Sequence, residues 1–141
     1  MGWVMSSLFE LGKRILRDQP FSSLIGAELT LLDAGAAEIT LDVRKELKQQ
    51  HGFVHGGVLS YLADNCLTYA GGSVLGNSVT SEYKISFVRP AIGEKLIARA
   101  TVLAKGRRQA TCECRISVLG ETEELLVAVA QGTISKVEYE M

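Results

Sequence analysis

Hydrophobic and polar residues recur along this chain with two different periods, which predict its first elements in order. Residues 5–16 show helical spacing and predict an amphipathic helix that ends before Pro20. Residues 37–44 alternate with period two, as expected for a strand with one solvated face. Residues 27–33 predict a preceding strand, joined to it by a hairpin turn at 33–35. The apolar side of the helix comprises Leu8, Leu11, Ile15 and Leu16.

The longest apolar segment covers residues 56–71 and predicts a helix that is apolar on nearly every side. Such a helix must be covered on most of its surface, and a curved antiparallel sheet can wrap it. Four further strands are predicted after it, at residues 81–90, 94–106, 109–120 and 124–137. Short glycine-containing turns favour a meander. We therefore predict a single α+β domain over residues 1–141, with a long central helix wrapped by about six strands.

Several predicted strands carry neighbouring apolar residues, such as Leu96 with Ile97 and Leu125 with Leu126. Adjacent strand residues point to opposite faces, so these pairs predict a second covered surface. A second covered surface on one small domain indicates an oligomer.

Composition narrows the classes of function. The formal net charge of −1 argues against general attraction to nucleic acid or anionic membrane, and no stretch approaches the ~20 apolar residues of a membrane span. Three cysteines without a CxxC pair predict reduced, buried thiols and a cytoplasmic protein. Only two histidines, His51 and His55, are present, and no neighbouring pattern completes a metal site.

A narrow polar stripe, formed by Ser60, Asp64 and Thr68 at four-residue spacing, interrupts the apolar helix. The stripe either faces solvent or faces a cleft in which Asp64 acts as general base or nucleophile.

The helix begins at His55, Gly56 and Gly57. Free N–H groups at a helix start can polarise a carbonyl, although two glycines also suit a tight turn. Gly56 lies roughly 12 Å from Asp64 along the axis, so both can act on one carbonyl only from two subunits. His55 itself is a candidate base, ligand or structural hydrogen-bonding group.

The predicted hairpin turn at residues 105–109 carries three positive charges, on Lys105, Arg107 and Arg108, with Gly106 between them. Such a turn is either simply solvated or a phosphate clamp.

Together, "QQHGFVHGGVLSYLADN" and "SEYKISFVRPAIGEKLIARATVLAKGRRQATCECRI" resemble the hotdog-fold thioesterases of the PaaI (phenylacetate degradation) type, over about residues 25–135. The resemblance implies hydrolysis of acyl-coenzyme A thioesters by homodimers, often paired into tetramers. No separate cofactor is implied, because coenzyme A enters with the substrate.

The same resemblance implies a role for each site residue. Gly56 N–H would polarise the thioester carbonyl, and Asp64 of the partner subunit would be nucleophile or base. Gln49, where relatives often have Asn, would position water or thioester. His55 would support the loop, and Thr80 would orient water beside the aspartate. The 105–108 segment would lie near the coenzyme A nucleotide, through Lys105, Gly106, Arg107 and Arg108.

Two other functions fit the same fold. An enoyl-thioester hydratase would use His55 with Asp64, although the Pro-Gly that usually precedes the helix in such enzymes is absent. A non-catalytic acyl-CoA or lipid-binding module would bind without turnover. The length and aromaticity of the acyl group are not predicted by the sequence.

Overall fold

A computed structural model describes the backbone of residues 2–138 and the side chains of residues 7–138. The chain ends of the predicted 1–141 domain therefore lie outside the described residues. Within residues 2–138, three helices and one short 3-10 helix (Lys45–Leu47) are joined to six strands. The helices are α1 (Gly2–Asp18), α2 (Pro20–Ile25) and α3 (Gly56–Leu75). The strands are β1 (Glu28–Asp33), β2 (Ala36–Asp42), β3 (Ser78–Phe87), β4 (Lys95–Lys105), β5 (Gln109–Leu119) and β6 (Glu124–Lys136).

The predicted fold class is confirmed, because one antiparallel sheet of six strands packs around the long helix α3. The strand order is β1-β2-β4-β5-β6-β3. The meander is correct for β4, β5 and β6, but it is wrong for β3, which pairs with β6 at the far edge of the sheet. Residues 88–94, which contain Pro90, connect β3 to β4 across the sheet instead of forming a hairpin.

The core lies between α3 and the concave face of the sheet. Leu62, Leu67 and Cys66 of α3 are fully buried there. Helix and sheet approach closely at Gly71, where an added Cβ would lie 2.7 Å from Ile134 Cβ in β6. This close packing fixes the rotation of α3, so it also fixes which strand the polar stripe faces.

The predicted N-terminal helix is present and ends before Pro20, but its bounds and its packed side differ from the prediction. Helix α1 extends to Asp18, and Pro20 starts the short helix α2, where a proline at the first position suits the helix geometry. Of the predicted apolar side, Leu16 is buried and Leu8 packs against the core, whereas Leu11 and Ile15 are 46% and 47% exposed because Gly12 faces β1. At Gly12 the helix lies so close to β1 that a Cβ would meet the Leu29 and Leu32 side chains.

The three cysteines are free and buried, as predicted. Within residues 2–138, no helix is long and apolar enough to cross a membrane.

Candidate active site

The polar stripe of α3 does not face open solvent, because it packs against the edge strand β3. Residues spaced four apart lie on one side of a helix, so Gly56, at the start of α3, continues the stripe of Ser60, Asp64 and Thr68. The stripe residues are half-buried. Their neighbours on β3 are Phe87 beside Gly56, Tyr83 beside Ser60, and Thr80 beside Asp64 and Thr68.

Asp64 is held by a hydroxyl group from β3. The Thr80 Oγ1 donates to Asp64 Oδ1 at 2.7 Å. Thr68 Oγ1 lies 2.6 Å from Thr80 Oγ1 and also donates to the Asp64 backbone carbonyl at 2.8 Å. The carboxylate therefore has a fixed orientation, with its second oxygen free of any protein donor among the described residues. The structure thus brings together two residues that the sequence analysis selected, Asp64 and Thr80.

A second hydroxyl pair lies one turn before Asp64. Tyr83 from β3 is hydrogen-bonded to Ser60 through their hydroxyl groups. Phe87 follows on the same side of the strand, and an added Cβ at Gly56 would be 3.5 Å from its ring. Phe87 is 55% exposed, so it forms an apolar wall next to the helix start.

Among the described residues, the first turn of α3 leaves the Gly56 backbone N–H without an acceptor. His55 is the N-cap, and its Nδ1 accepts the Gly57 N–H at 2.9 Å. The Val58 N–H donates to the His55 carbonyl at 2.9 Å. The Gly56 N–H has no acceptor among residues 2–138, and no side chain of its own covers it. Because helix starts carry partial positive charge, this N–H is suited to a developing oxyanion.

Gln49 lies in the tight loop that precedes α3. Its backbone N–H donates to the Phe53 carbonyl at 2.8 Å, and its side-chain Oε1 accepts the His51 N–H. The loop is anchored where His55 N–H donates to the Leu47 carbonyl at 2.8 Å. In residues 2–138, Gln49 is not hydrogen-bonded to Gly56 or Asp64, so its role at the site stays a prediction.

Comparison with known proteins connects this geometry to a family. The thioesterase superfamily model matches residues 51–124, which include Asp64, Thr80 and the start of α3. The chain belongs to the thioesterase superfamily. The matched region is about half of the chain and contains the whole α3–β3 arrangement.

Individual relatives agree with this superfamily. The acyl-coenzyme A thioesterase PaaI of Escherichia coli is 32% identical over 93 residues, covering 65% of this chain and 66% of that protein. The 1,4-dihydroxy-2-naphthoyl-CoA hydrolase of Listeria monocytogenes is 28% identical, over 79% of this chain and 90% of that protein. A thioesterase family protein from Silicibacter pomeroyi has a TM-score of 0.85 at 29% identity, covering 90% and 96% of the two chains. The predicted PaaI-type hotdog fold is confirmed.

The basic turn of this thioesterase-superfamily chain borders a shallow depression of about 510 Å³. Its lining includes Arg108 from the turn and Lys136 from the end of β6. Lys105 and Arg107 are exposed beside it but do not line it. Arg108 pairs with Glu138, and both side chains are largely exposed, so the pair is weak and leaves the guanidinium available to an anion. The full lining is Gly106, Arg108, Gln109, Ser135 and Lys136.

Strand register relates this depression to Asp64. Ala110, Ile134 and Thr80 lie side by side on β5, β6 and β3. Neighbouring strands are about 4.8 Å apart, so the start of β5 is roughly 10 Å across the sheet from Thr80. The basic turn and the Asp64–Thr80 pair therefore occupy the same end of the sheet.

A polar cluster that the sequence pattern did not predict joins α2 to α3 beside the stripe. The Asn65 Nδ2 donates to Tyr61 at 2.9 Å and to Gln19 Oε1 at 3.1 Å, and Ser22 contacts the Tyr61 hydroxyl. Burial raises the pKa of Tyr61, and the nearby Asp64 charge raises it further. Tyr61 therefore stays neutral at physiological pH. Helix α2 was not predicted, so nothing in the sequence pattern placed Gln19 and Ser22 next to α3.

No group of three or more His, Cys, Asp or Glu side chains is arranged to hold a metal ion within the part of the chain described. The side chains around Asp64 in this protein bear hydroxyl groups or are apolar. They are suited to orienting water and an acyl group.

Proposed function

We propose that this protein hydrolyses acyl-CoA thioesters to a free carboxylic acid and coenzyme A. One observation carries the proposal. A carboxylate fixed by a hydroxyl and an unoccupied helix-start N–H lie on the same stripe of the same helix, in a chain of the thioesterase superfamily. Thioester hydrolysis needs a group that activates or delivers the nucleophile and a donor for the oxyanion, and these two residues supply them.

In the proposed reaction, Asp64 removes a proton from water as the water oxygen bonds to the thioester carbon. The carbonyl oxygen becomes an oxyanion that accepts the Gly56 N–H of a second subunit. Collapse of this intermediate breaks the carbon–sulfur bond, and the proton passes from Asp64 to the leaving sulfur. A direct attack by Asp64, with later hydrolysis of the mixed anhydride, uses the same residues. Thr80 orients the carboxylate in both routes.

The site is proposed to be shared between two antiparallel copies of α3. Gly56 and Asp64 are separated by roughly 12 Å along one helix, which is too far for one carbonyl to contact both. A two-fold axis that places Gly56 of one subunit opposite Asp64 of the other must pass near Ser60, which lies midway between them. Such an interface is isologous, and it creates two identical sites.

The coenzyme A phosphates are proposed to bind at the basic turn. Arg108 and Lys136 border the depression there, and Arg107 is exposed next to it. Guanidinium groups bind phosphate through paired hydrogen bonds. This turn lies at the same end of the sheet as Thr80. With the phosphates bound there, the thioester end of the substrate would extend towards α3 and β3.

The function is tested by measuring coenzyme A release from short, medium, long and aromatic acyl-CoAs. Wild-type protein is expected to turn over at least one class, and Asp64→Asn is expected to lose most of kcat while keeping the fold. Binding of acyl-CoA without release would favour the non-catalytic module, and hydration of an enoyl-CoA without release would favour the hydratase. Unchanged kcat in Asp64→Asn would remove Asp64 from the mechanism.

The shared site is tested separately by cross-linking. Ser60→Cys is expected to give a covalent dimer with a short bis-maleimide, because both copies lie near the two-fold axis. Ser73→Cys is the matched control, since it is half-buried in the same helix but about 20 Å further along. Background cross-linking through the native cysteines is expected to be low because these cysteines are buried. Equal cross-linking of the two variants, or none of Ser60→Cys in an active enzyme, would refute the antiparallel arrangement.

A further inference from the structure

Strand β3 departs from regular alternation at the point where it meets the active site. Thr80 and Tyr83 are three residues apart, yet both face α3. In a regular strand, residues on one face are two apart. Thr80 lies opposite Ile134 and Tyr83 lies opposite Gly132, so between these pairs β3 has two residues where β6 has only Thr133. This is a β-bulge with Ser81 as its extra residue.

The bulge is held from the outer face of the sheet. Thr133 Oγ1 donates to Glu82 Oε1 at 2.7 Å, and the Ser81 hydroxyl contacts the Ser135 hydroxyl. Ser81 and Glu82 are both exposed, so they point away from α3. The two residues between Thr80 and Tyr83 are thus both turned outwards, which leaves the two flanking side chains directed at the helix.

Gly132 provides the space that the bulge occupies. A Cβ added at Gly132 would lie 2.5 Å from the Glu82 carbonyl oxygen and 2.5 Å from Tyr83 Cβ. The first of these contacts is with backbone, so rotation of a side chain cannot relieve it. Any residue with a side chain at this position must push β3 away from β6 where the bulge forms.

We propose that Gly132 and the Ser81 bulge are positioning elements of the active site, which direct the Thr80 hydroxyl at Asp64. The inference rests on the proposed role of Asp64. Without the bulge, strict alternation would place Thr80 and Tyr83 on opposite faces of β3. One of the two hydroxyl contacts with α3, Thr80 with Asp64 or Tyr83 with Ser60, would then be lost. Gly132 itself is buried and acts only through β3.

The test is a double-mutant cycle between Gly132→Ala and Thr80→Ala, read as kcat. Gly132→Ala is expected to lower kcat by roughly 10- to 100-fold, the usual cost of a misplaced catalytic group. In the Thr80→Ala background, the same substitution is expected to change kcat little further. KM is expected to move less than kcat, because the basic turn itself connects β4 to β5, and only Ser135 and Lys136 of the depression lie on β6 with Gly132.

Two outcomes overturn the inference. If Gly132→Ala folds and keeps wild-type kcat, the close approach of Gly132 to β3 does not affect catalysis. If Gly132→Ala lowers kcat equally with Thr80 and with Ala at position 80, Gly132 has only a structural role. If Gly132→Ala does not fold, Thr133→Val replaces it in the double-mutant cycle with Thr80→Ala. This substitution removes only the hydroxyl group that is hydrogen-bonded to Glu82. A few-fold loss of kcat that disappears in the Thr80→Ala background supports the inference, and an unchanged kcat opposes it. Asp64→Asn, measured alongside, shows independently whether the proposed function itself holds.

Discussion

Replacing Gly56 by proline removes one hydrogen-bond donor from the start of α3 and leaves the local backbone intact. Proline is well tolerated at the first position of a helix, where its missing N–H has no intrahelical acceptor. His55, which precedes it, has φ −60° and ψ 135°, and these values suit a residue before proline. The Gly56 N–H has no acceptor in residues 2–138, so the substitution breaks no hydrogen bond there.

The expected loss of activity is large compared with the expected change in stability. Removing one oxyanion donor typically lowers kcat by about 10²–10³, or about 2.7–4 kcal/mol of transition-state stabilisation. A glycine-to-proline change at a compatible position raises the free energy of unfolding by about 0.4–1 kcal/mol. We therefore expect a folded protein of at least wild-type thermal stability that has lost nearly all turnover.

Gly56→Ala is the matched control, because it adds a Cβ but keeps the N–H. That Cβ would lie 3.5 Å from the Phe87 ring, an ordinary van der Waals distance. The assay is coenzyme A release under saturating substrate, with thermal unfolding of all three proteins. Folded Gly56→Pro with kcat within roughly threefold of wild type, or about 0.6 kcal/mol, would refute the oxyanion role. Equal losses in both variants would point to added bulk instead of the missing donor.

Substitutions at four other places in the chain have distinct expected outcomes. Thr80→Ser should keep most of kcat, whereas Thr80→Val should lose roughly 10- to 100-fold, because only serine preserves the bond to the aspartate. His55→Asn should retain turnover, since asparagine caps helices well. His55→Ala should lower the free energy of unfolding by about 1 kcal/mol, as measured by chemical denaturation. Arg107→Ala with Arg108→Ala should raise KM with little change in kcat, and the effect should shrink as salt is increased in steady-state assays. Thr68→Val should lower kcat less than Thr80→Val in the same assay.

Local periodicity was sufficient to predict α3, its polar stripe and most strands, because these features depend on residues close in sequence. The pairing of β3 with β6 depends on contacts between residues some 50 positions apart, which alternation cannot encode. The short helix α2 covers six residues, too few for a periodic signal. Its polar contacts with Tyr61 were missed for that reason.

The position of Thr80 could not be predicted from the sequence pattern for a different reason. Alternation assigns Tyr83 to one face of β3 and therefore assigns Thr80 to the other, since their positions differ by three, an odd number. The bulge at Ser81 reverses this assignment. Only the resemblance to known thioesterases indicated that Thr80 belongs beside Asp64, and the 2.7 Å hydrogen bond agrees with that placement.

The hydroxyl groups around Asp64 suit the proposed reaction, in which the carboxylate gains and loses a proton. Thr80 and Thr68 provide two hydroxyl protons for three short contacts, Asp64 Oδ1 with Thr80, Thr80 with Thr68, and Thr68 with the Asp64 carbonyl. When Asp64 is ionised, Thr80 donates to it and Thr68 donates to Thr80 or to the backbone carbonyl. The aspartate is then stabilised by a charge-assisted hydrogen bond.

A proton that the second oxygen of Asp64 takes from water leaves the Thr80–Oδ1 bond unchanged, whereas a proton on Oδ1 would reverse the direction of donation along the whole series. Asp64 then donates to Thr80, Thr80 donates to Thr68, and Thr68 donates to the Asp64 carbonyl, so three protons serve three contacts. Each state satisfies its hydroxyl groups without moving a heavy atom, which keeps the reorganisation of a general base small. Thr80 contacts the carboxylate in both states, whereas Thr68 acts through Thr80. The larger loss expected for Thr80→Val than for Thr68→Val follows from this order of contacts.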